Sequence, residues 1–310
     1  MPELPEVETI ARGLARRVTG DIVESVWLGQ KKEPLKSPAS EIAATLEHSR
    51  IAAVQRMGKH IVFDLDRTHV RQALMPAKGV GAKRRPMASR ASLPQAVPAA
   101  PVQADKSVRP TQSQWIVHLG MTGRLQVCEP HAVVEKHTHA ILRLASGKEL
   151  RFIDPRRFGR LSVARAANFE AGGVEPLEVD LERFISLFLG RKTPIKSALL
   201  NQKLLRGVGN IYADESLFRA GIRPRRRAST ISREQLTNLF HAVKEVLQEA
   251  IALGGSSVSD YVDADGEEGF FQLQHRVYGR EGEPCLVCKT PIKRVVLAGR
   301  SSHYCPKCQK

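Results

Sequence analysis

The sequence predicts an α+β chain of more than one domain, with a β-rich N-terminal half, a helical middle and a small metal-held tail. Three observations carry that expectation. Short strand-like apolar segments fill residues 22–163, apolar positions at helical spacing dominate after Pro176, and paired cysteines lie near the end. The 310 residues suffice for sizeable cores, and 48 Lys and Arg against 32 Asp and Glu leave a formal charge of +16. Such a surplus repels itself unless a polyanion neutralises it, so nucleic acid is the expected partner. A membrane is not expected, because no stretch reaches the roughly 18 apolar residues of a spanning helix. The acidic start, with Glu3, Glu6 and Glu8, is unlike a secretory signal, so a cytoplasmic protein is expected.

Pro5 to Val18 reads as a helix: proline suits its first turn, acids favour its positive end, and Val7, Ile10, Leu14 and Val18 line one face. Strand signals follow at Ile51–Gln55, Ile61–Leu65, Trp115–Leu119, Ala140–Leu144 and Leu150–Ile153, with Ser146-Gly147 as a hairpin turn. Strands in this number with few helices predict an antiparallel sandwich or barrel. Met75 to Ser113 breaks the order. It is rich in Ala, Pro and Ser, carries Lys83, Arg84, Arg85, Arg90, Lys106 and Arg109, and has no periodic apolar positions. It therefore reads as a disordered basic loop between strands, a solvated insertion whose cations would add sequence-blind affinity if they touched DNA.

Helices are predicted at Leu181–Leu189, Pro194–Leu204 and Asn210–Ala220, and a longer one carries Leu236, Leu239, Phe240, Val243, Val246, Leu247 and Ile251 before Gly254-Gly255. A Gly-, Asp- and Ser-rich loop runs from Gly254 to about Gly269. Between two of these helices, Arg206-Gly207-Val208-Gly209-Asn210 forms a glycine-bracketed turn. Glycines let backbone approach a phosphate, and a helix start at Asn210 presents amide hydrogens to an anion.

Cys285-x-x-Cys288 and Cys305-x-x-Cys308, with sixteen residues between the pairs, match a four-thiolate zinc site. Such a site has no open coordination position, so a single structural zinc is expected, holding a small β-hairpin together. Cys128 is left over as a packed or free thiol.

At the start, Met1 precedes Pro2, a residue small enough for removal of the initiator methionine. The exposed secondary amine would have a pKa of roughly 8, so a useful fraction is neutral at pH 7. Attack on a sugar C1′ by such an amine gives an iminium that is cationic without further proton loss, an electron sink suited to elimination, and Glu3 stands beside it as an acid.

The residues Pro2-Glu3-Leu4-Pro5-Glu6-Val7-Glu8-Thr9 resemble the N-terminal signature of the bacterial formamidopyrimidine-DNA glycosylase family. The resemblance extends, in the family's order, through His118-Leu119-Gly120-Met121-Thr122-Gly123, Asp154-Pro155-Arg156-Arg157-Phe158-Gly159, Gly207-Val208-Gly209-Asn210-Ile211-Tyr212-Ala213, Val277-Tyr278-Gly279-Arg280 and the cysteine tail. It implies an N-terminal antiparallel β-sandwich over 1–175, a helical domain with a helix–two-turn–helix over 176–265 and a C-terminal zinc β-hairpin finger over 266–310. It also implies a monomer that acts on damaged double-stranded DNA, excising oxidised purines and cleaving the abasic site by β,δ-elimination.

The resemblance assigns Pro2 as the nucleophile, Glu3 as the acid at the sugar ring oxygen, Lys59 as a proton donor and phosphate contact, and Arg300 as the finger arginine of the δ-elimination step. An arginine is a poor literal acid, which favours phosphate clamping for Arg300. Met121, Arg156 and Phe158 match the trio that fills the gap left by an everted base. His118, His137, Arg156, Lys192, Lys196 and Asn210 match DNA-backbone contacts, and the loop from Gly254 matches a flap over the lesion. Glu6 reads first as an ordinary helix-end acid. Two alternatives stand beside this reading. One is the related endonuclease VIII branch, which prefers oxidised pyrimidines and usually opens Pro-Glu-Gly-Pro; the other is a silent zinc-ribbon DNA binder, which would need neither Pro2 nor Glu3.

Overall fold

The computed structural model describes residues 1–67, 113–165, 169–257 and 268–310. The N-terminal half is a β-sandwich. One sheet has the order β1 (Val23–Leu28), β6 (Thr138–Leu144), β7 (Glu149–Ile153), β5 (Arg124–Cys128); the other runs β2 (Arg50–Met57), β3 (His60–Asp66), β4 (Ser113–His118), β8 (Arg160–Arg165). All these neighbours pair antiparallel. The inner faces share one core: Phe63 and Trp115, opposite each other in register, meet Leu142, Leu150 and Phe152 of the other sheet. Helix α1 (Leu4–Val18) adds Val7, Ile10, Leu14 and Val18 to that core, the stripe its 3.6-residue spacing predicted.

A second helix, α2 (Ala39–Leu46), lies where the sequence suggested only strands. It is short, and only Ile42 and Leu46 are buried, so its apolar periodicity is too brief to stand out. The proposed insertion lies outside the described residues, except that Ser113 already belongs to β4.

The helical part comprises α3 (Leu181–Phe188), α4 (Ile195–Leu199), α5 (Asn210–Arg219) and α6 (Arg233–Ala252). Asp180 caps α3 by accepting from Arg183 N at 2.8 Å, and Ser232 with Gln235 forms a capping box on α6. The predicted helix Pro194–Leu204 is cut to α4. Asn201 ends it: its side chain accepts from Lys203 N at 3.0 Å and its carbonyl from Leu204 N at 2.8 Å, a turn that competes with helix continuation.

Leu4, at the very start of the chain, is buried in the core of this helical part rather than in the sandwich. Its N–H donates to Gly207 O at 3.0 Å, so the chain start is docked on the glycine-bracketed turn. The tail is the expected hairpin, β9 (Lys293–Leu297) and β10 (Arg300–Tyr304). Its approach is fixed by the buried Glu215 of α5, whose carboxylate accepts the N–H groups of Arg276, Val277 and Tyr278 at 2.9, 3.0 and 2.8 Å. Among the described residues no helix is long and apolar enough to cross a membrane.

Candidate active site and nucleic-acid interface

Pro2 and Glu3 are both buried where the start of α1 meets the start of α5. Glu3 Oε1 accepts the Ile211 N–H at 3.3 Å, so the anion at the positive end of α5 is this carboxylate. The sequence had offered that helix end to a phosphate; the structure gives this amide to Glu3. Gly209 is required for the approach, because a Cβ there would lie 2.1 Å from Glu3 Cδ. Glu3 Oε2 has no hydrogen-bond partner among the described residues. Burial pushes the Glu3 carboxyl up to about 7, against the pull of the Lys59 ammonium and with a further push from Glu6. It can therefore carry a proton near neutral pH, on an oxygen nothing else uses.

Glu6 is more than a helix-end acid. Its Oε2 accepts from Glu3 N and its Oε1 from Ser256 N, each at 2.8 Å, and Tyr212 Oη donates to it as well. Burial raises its pKa. It joins the chain start to α5 and to the segment after α6. Tyr212 and Ser256 escaped the sequence reading; only the position of Tyr212 inside the Gly207–Ala213 motif hinted at it.

Lys59 occupies the β2–β3 turn and is 9% exposed. Burial lowers its pKa, the Glu3 charge raises it and the Arg300 charge lowers it, which places all three charges in one neighbourhood. The turn is braced by Arg56, which donates to Gly58 O at 3.3 Å, pairs with Glu8 at 2.6 Å and pairs with Glu175 at 2.8 Å. Glu175 also accepts from Arg206 Nε at 3.1 Å, so the same hub ties the sandwich to the glycine-bracketed turn. Arg300 is exposed at the first position of β10.

Met121, Arg156 and Phe158 come together on two adjacent loops. Met121 and Phe158 are exposed by 42% and 52%, unusual for large apolar side chains, and Arg156 Cζ lies 4.9 Å from the Phe158 ring centre. The fully buried Asp154 builds this surface: it accepts from Thr122 Oγ1 at 2.6 Å, from Gly159 N at 2.7 Å and from Arg156 N at 3.3 Å. At Gly120 (φ +66°) a Cβ would lie 2.4 Å from the Phe158 backbone, so the loops can touch only with glycine there.

The expected backbone contacts divide. His137 and Lys192 are exposed. His118 is partly buried, its Nδ1 accepts the Gly120 N–H at 3.1 Å, and burial beside His60 lowers its pKa to about 4. The ring is therefore neutral at pH 7, with its proton on Nε2. Asn210 is half-buried, and its amide donates to Ser301 Oγ at 3.3 Å. Lys196 departs from expectation: it is 1% exposed, its Nζ is 2.6 Å from Asp214 Oδ1, and it donates to Ser301 O at 2.6 Å. Such an ammonium is not on the surface where a phosphate would meet it. Residues 258–267 of the expected flap lie outside the described residues.

The four cysteine sulfurs lie within 4.8 Å of one another, with Cys285–Cys308 at 3.9 Å and Cys288–Cys305 at 3.4 Å. Tetrahedral Zn–S bonds of about 2.3 Å place ligand sulfurs about 3.8 Å apart, so this set fits one structural zinc.

Comparison with known proteins agrees with this geometry. Residues 1–161 match the family model of the formamidopyrimidine-DNA glycosylase N-terminal domain, 173–262 that of its H2TH domain, and 282–310 a zinc finger found in FPG and IleRS. These matches define the class, a three-part glycosylase built on a sandwich, a helical joint and a finger. The chain is 42% identical over 319 residues to the formamidopyrimidine-DNA glycosylase of Solibacter usitatus and 36% over 329 residues to that of a Ruegeria species, covering 100% of each chain in both. Among solved structures it resembles MutM (Fpg) from Thermus thermophilus, with a TM-score of 0.76, 36% identity and coverage of 99% and 98%. It also resembles a complex of Lactococcus lactis Fpg with DNA containing an abasic site, with a TM-score of 0.79, 28% identity and 99% coverage of both. The chain belongs to the formamidopyrimidine-DNA glycosylase family.

Proposed function

We propose that this chain performs base excision repair on oxidised purines in duplex DNA, through a Schiff base on the Pro2 amine, followed by β,δ-elimination. The observation that carries the mechanism is the buried Glu3 carboxyl, with one oxygen unpartnered and a pKa of about 7, directly after Pro2.

Once Met1 is gone, the neutral Pro2 nitrogen attacks C1′ of the lesion nucleotide, and the base departs with the glycosidic electron pair and takes up the proton that the nitrogen gives off. Glu3 gives its proton to the ring oxygen as the C1′–O4′ bond breaks, which leaves an open-chain iminium on Pro2. The iminium is the electron sink for loss of the 3′ phosphate after a C2′ proton is removed, and then of the 5′ phosphate after a C4′ proton is removed. Hydrolysis of the remaining iminium releases the amine. Lys59, close to Glu3 and with a lowered pKa, shuttles protons and contacts phosphate. Arg300 clamps phosphate.

Met121, Arg156 and Phe158 fill the gap left by the everted nucleotide: thioether and ring enter the stack while the guanidinium pairs with the orphaned base. His118, through Nε2–H, together with His137, Lys192 and Asn210, grips the backbone. Zinc would supply rigidity to the finger's knuckles, at the end of β10 remote from Arg300. The reading is of a monomer in the cytoplasm. The purine branch is favoured over the pyrimidine branch by the Pro2-Glu3-Leu4-Pro5 opening and by the gap-filling trio.

The test is borohydride trapping on duplex DNA with a single 8-oxoguanine opposite cytosine. A covalent adduct at Pro2 is expected, and Pro2→Gly should lose most trapping while still binding DNA. No adduct, or adducts with oxidised pyrimidines only, overturns the reading. Intact mass supplies a second check, since retention of Met1 in active protein is incompatible with an amine nucleophile at Pro2.

A further inference from the structure

We propose that the buried Lys196–Asp214 pair is a positioning device for Arg300, stapling β10 to α5 so that the guanidinium is presented to DNA at a fixed place. The proposal rests on the phosphate-clamping role of Arg300 given above.

The staple is made of three elements. Lys196 from α4 and Asp214 from α5 have side chains 1% and 0% exposed, and Nζ stands 2.6 Å from Oδ1. The ammonium also donates to Ser301 O at 2.6 Å, on the residue next to Arg300. The other carboxylate oxygen, Asp214 Oδ2, accepts His303 N at 2.8 Å and lies 3.2 Å from His303 Nδ1. One turn before Asp214, and on the same face of α5, Asn210 donates to Ser301 Oγ at 3.3 Å. Every bond from this group to β10 lands on Ser301 or His303. Arg300, which leads that strand, makes none of them.

The zinc geometry and the chemistry of the buried pair both point to positioning. First, the zinc knuckles cannot hold Arg300 in place: the nearest cysteine, Cys305, is five residues further on, at the opposite end of β10. Beyond the metal's grip, β10 is held by its ladder to β9, and a two-stranded hairpin is only marginally rigid by itself. Second, a buried ammonium–carboxylate pair is a poor way to gain stability, since well-packed apolar residues of like volume do as well without desolvating two charges. What an apolar pair cannot supply is direction. Here three donors and acceptors fix the height, register and tilt of one strand. The lysine that the sequence placed on DNA thus reaches DNA through its neighbour.

A double-mutant cycle on DNA affinity distinguishes this staple from a direct contact and from a general structural role. Binding is measured with duplex carrying a reduced abasic-site analogue, for Arg300→Ala, for the paired replacement Lys196→Met with Asp214→Asn (which leaves no unpaired buried charge), and for the triple variant. Zinc content and thermal unfolding establish that each protein is loaded and folded. Arg300→Ala should weaken binding about tenfold and flatten the salt dependence by about one phosphate contact. The paired replacement should reproduce most of that loss and the same flattening, and the triple variant should be little worse than Arg300→Ala. Where the paired replacement loses zinc, Asp214→Asn alone, which keeps the acceptor for His303 N, is read in the same cycle and should show a smaller, non-additive loss. Additive effects mean that Lys196 meets DNA itself, and unchanged affinity in the paired variant means that Arg300 needs no staple; either overturns the proposal. Unchanged affinity in Arg300→Ala removes the clamping role itself, and with it this inference, and is recognisable because it occurs in the single variant.

Discussion

Replacing Glu3 by glutamine should make the protein more stable at pH 8 while disabling it. The carboxyl is 4% exposed and its pKa is moved by burial from 4.5 to about 7. At about 1.4 kcal/mol per pH unit, holding it ionised in the fold costs about 3 kcal/mol relative to the unfolded chain. The sign follows from proton counting. Between 4.5 and about 7 the folded chain binds the proton and the unfolded chain does not, so the contribution to stability is greatest below 4.5 and is lost as pH rises through 7. Glutamine keeps an oxygen for the Ile211 N–H and never ionises. Thermal unfolding of both proteins from pH 4.5 to 8.5 should therefore show curves that nearly coincide at the acid end. They should separate by on the order of 5 °C at pH 8, with the variant higher. Borohydride trapping by the variant should be severely reduced throughout, and trapping by the parent should decline above about pH 7 where the acid loses its proton. A gap that is constant across pH, or a variant that is less stable at pH 8, refutes the desolvation argument.

Two further outcomes follow from the packing. Gly209→Ala places a Cβ 2.1 Å from Glu3 Cδ and must displace the acid; a shift of about 1 Å in catalytic groups costs roughly a hundredfold, so trapping should fall by that order while DNA affinity and zinc content hold. Asp154→Ala strips the partner from the Gly159 N–H and from Thr122; an orphaned buried donor costs about 1–3 kcal/mol. The loops bearing Met121 and Phe158 should loosen, with kcat/KM on 8-oxoguanine duplexes down on the order of tenfold and a lower Tm. Unaltered turnover would show that Asp154 does not organise them.

The strand and helix alternation was legible wherever one face is buried over several residues. Helix α1, the strands of the Phe63–Trp115 region and the long helix α6 were all visible from apolar spacing. Helix α2 was not, because two buried side chains in eight residues make no pattern. The zinc ligands were legible because metal coordination imposes spacing on the sequence itself. The candidate site was legible only in part. Pro2 and Glu3 could be named, yet what tunes Glu3 is burial against a turn more than 200 residues away, as are the partners Tyr212 and Ser256 of Glu6. No local signal encodes such distances. Lys196 is the instructive failure: a lysine in a basic chain reads as a surface cation, and only the fold reveals an aspartate and a carbonyl waiting for it.

Leu4 is packed among residues that lie between 179 and 271, and its N–H is held by Gly207. Protein synthesis is vectorial, so residues 2–4 leave the ribosome long before that seat has been translated. On the reading proposed above, loss of Met1 frees the Pro2 amine, and in the folded chain Pro2 is buried. The seat that holds Leu4, and with it Pro2 and Glu3, is thus complete only in a chain whose residues as far as Phe271 have been made and folded around it.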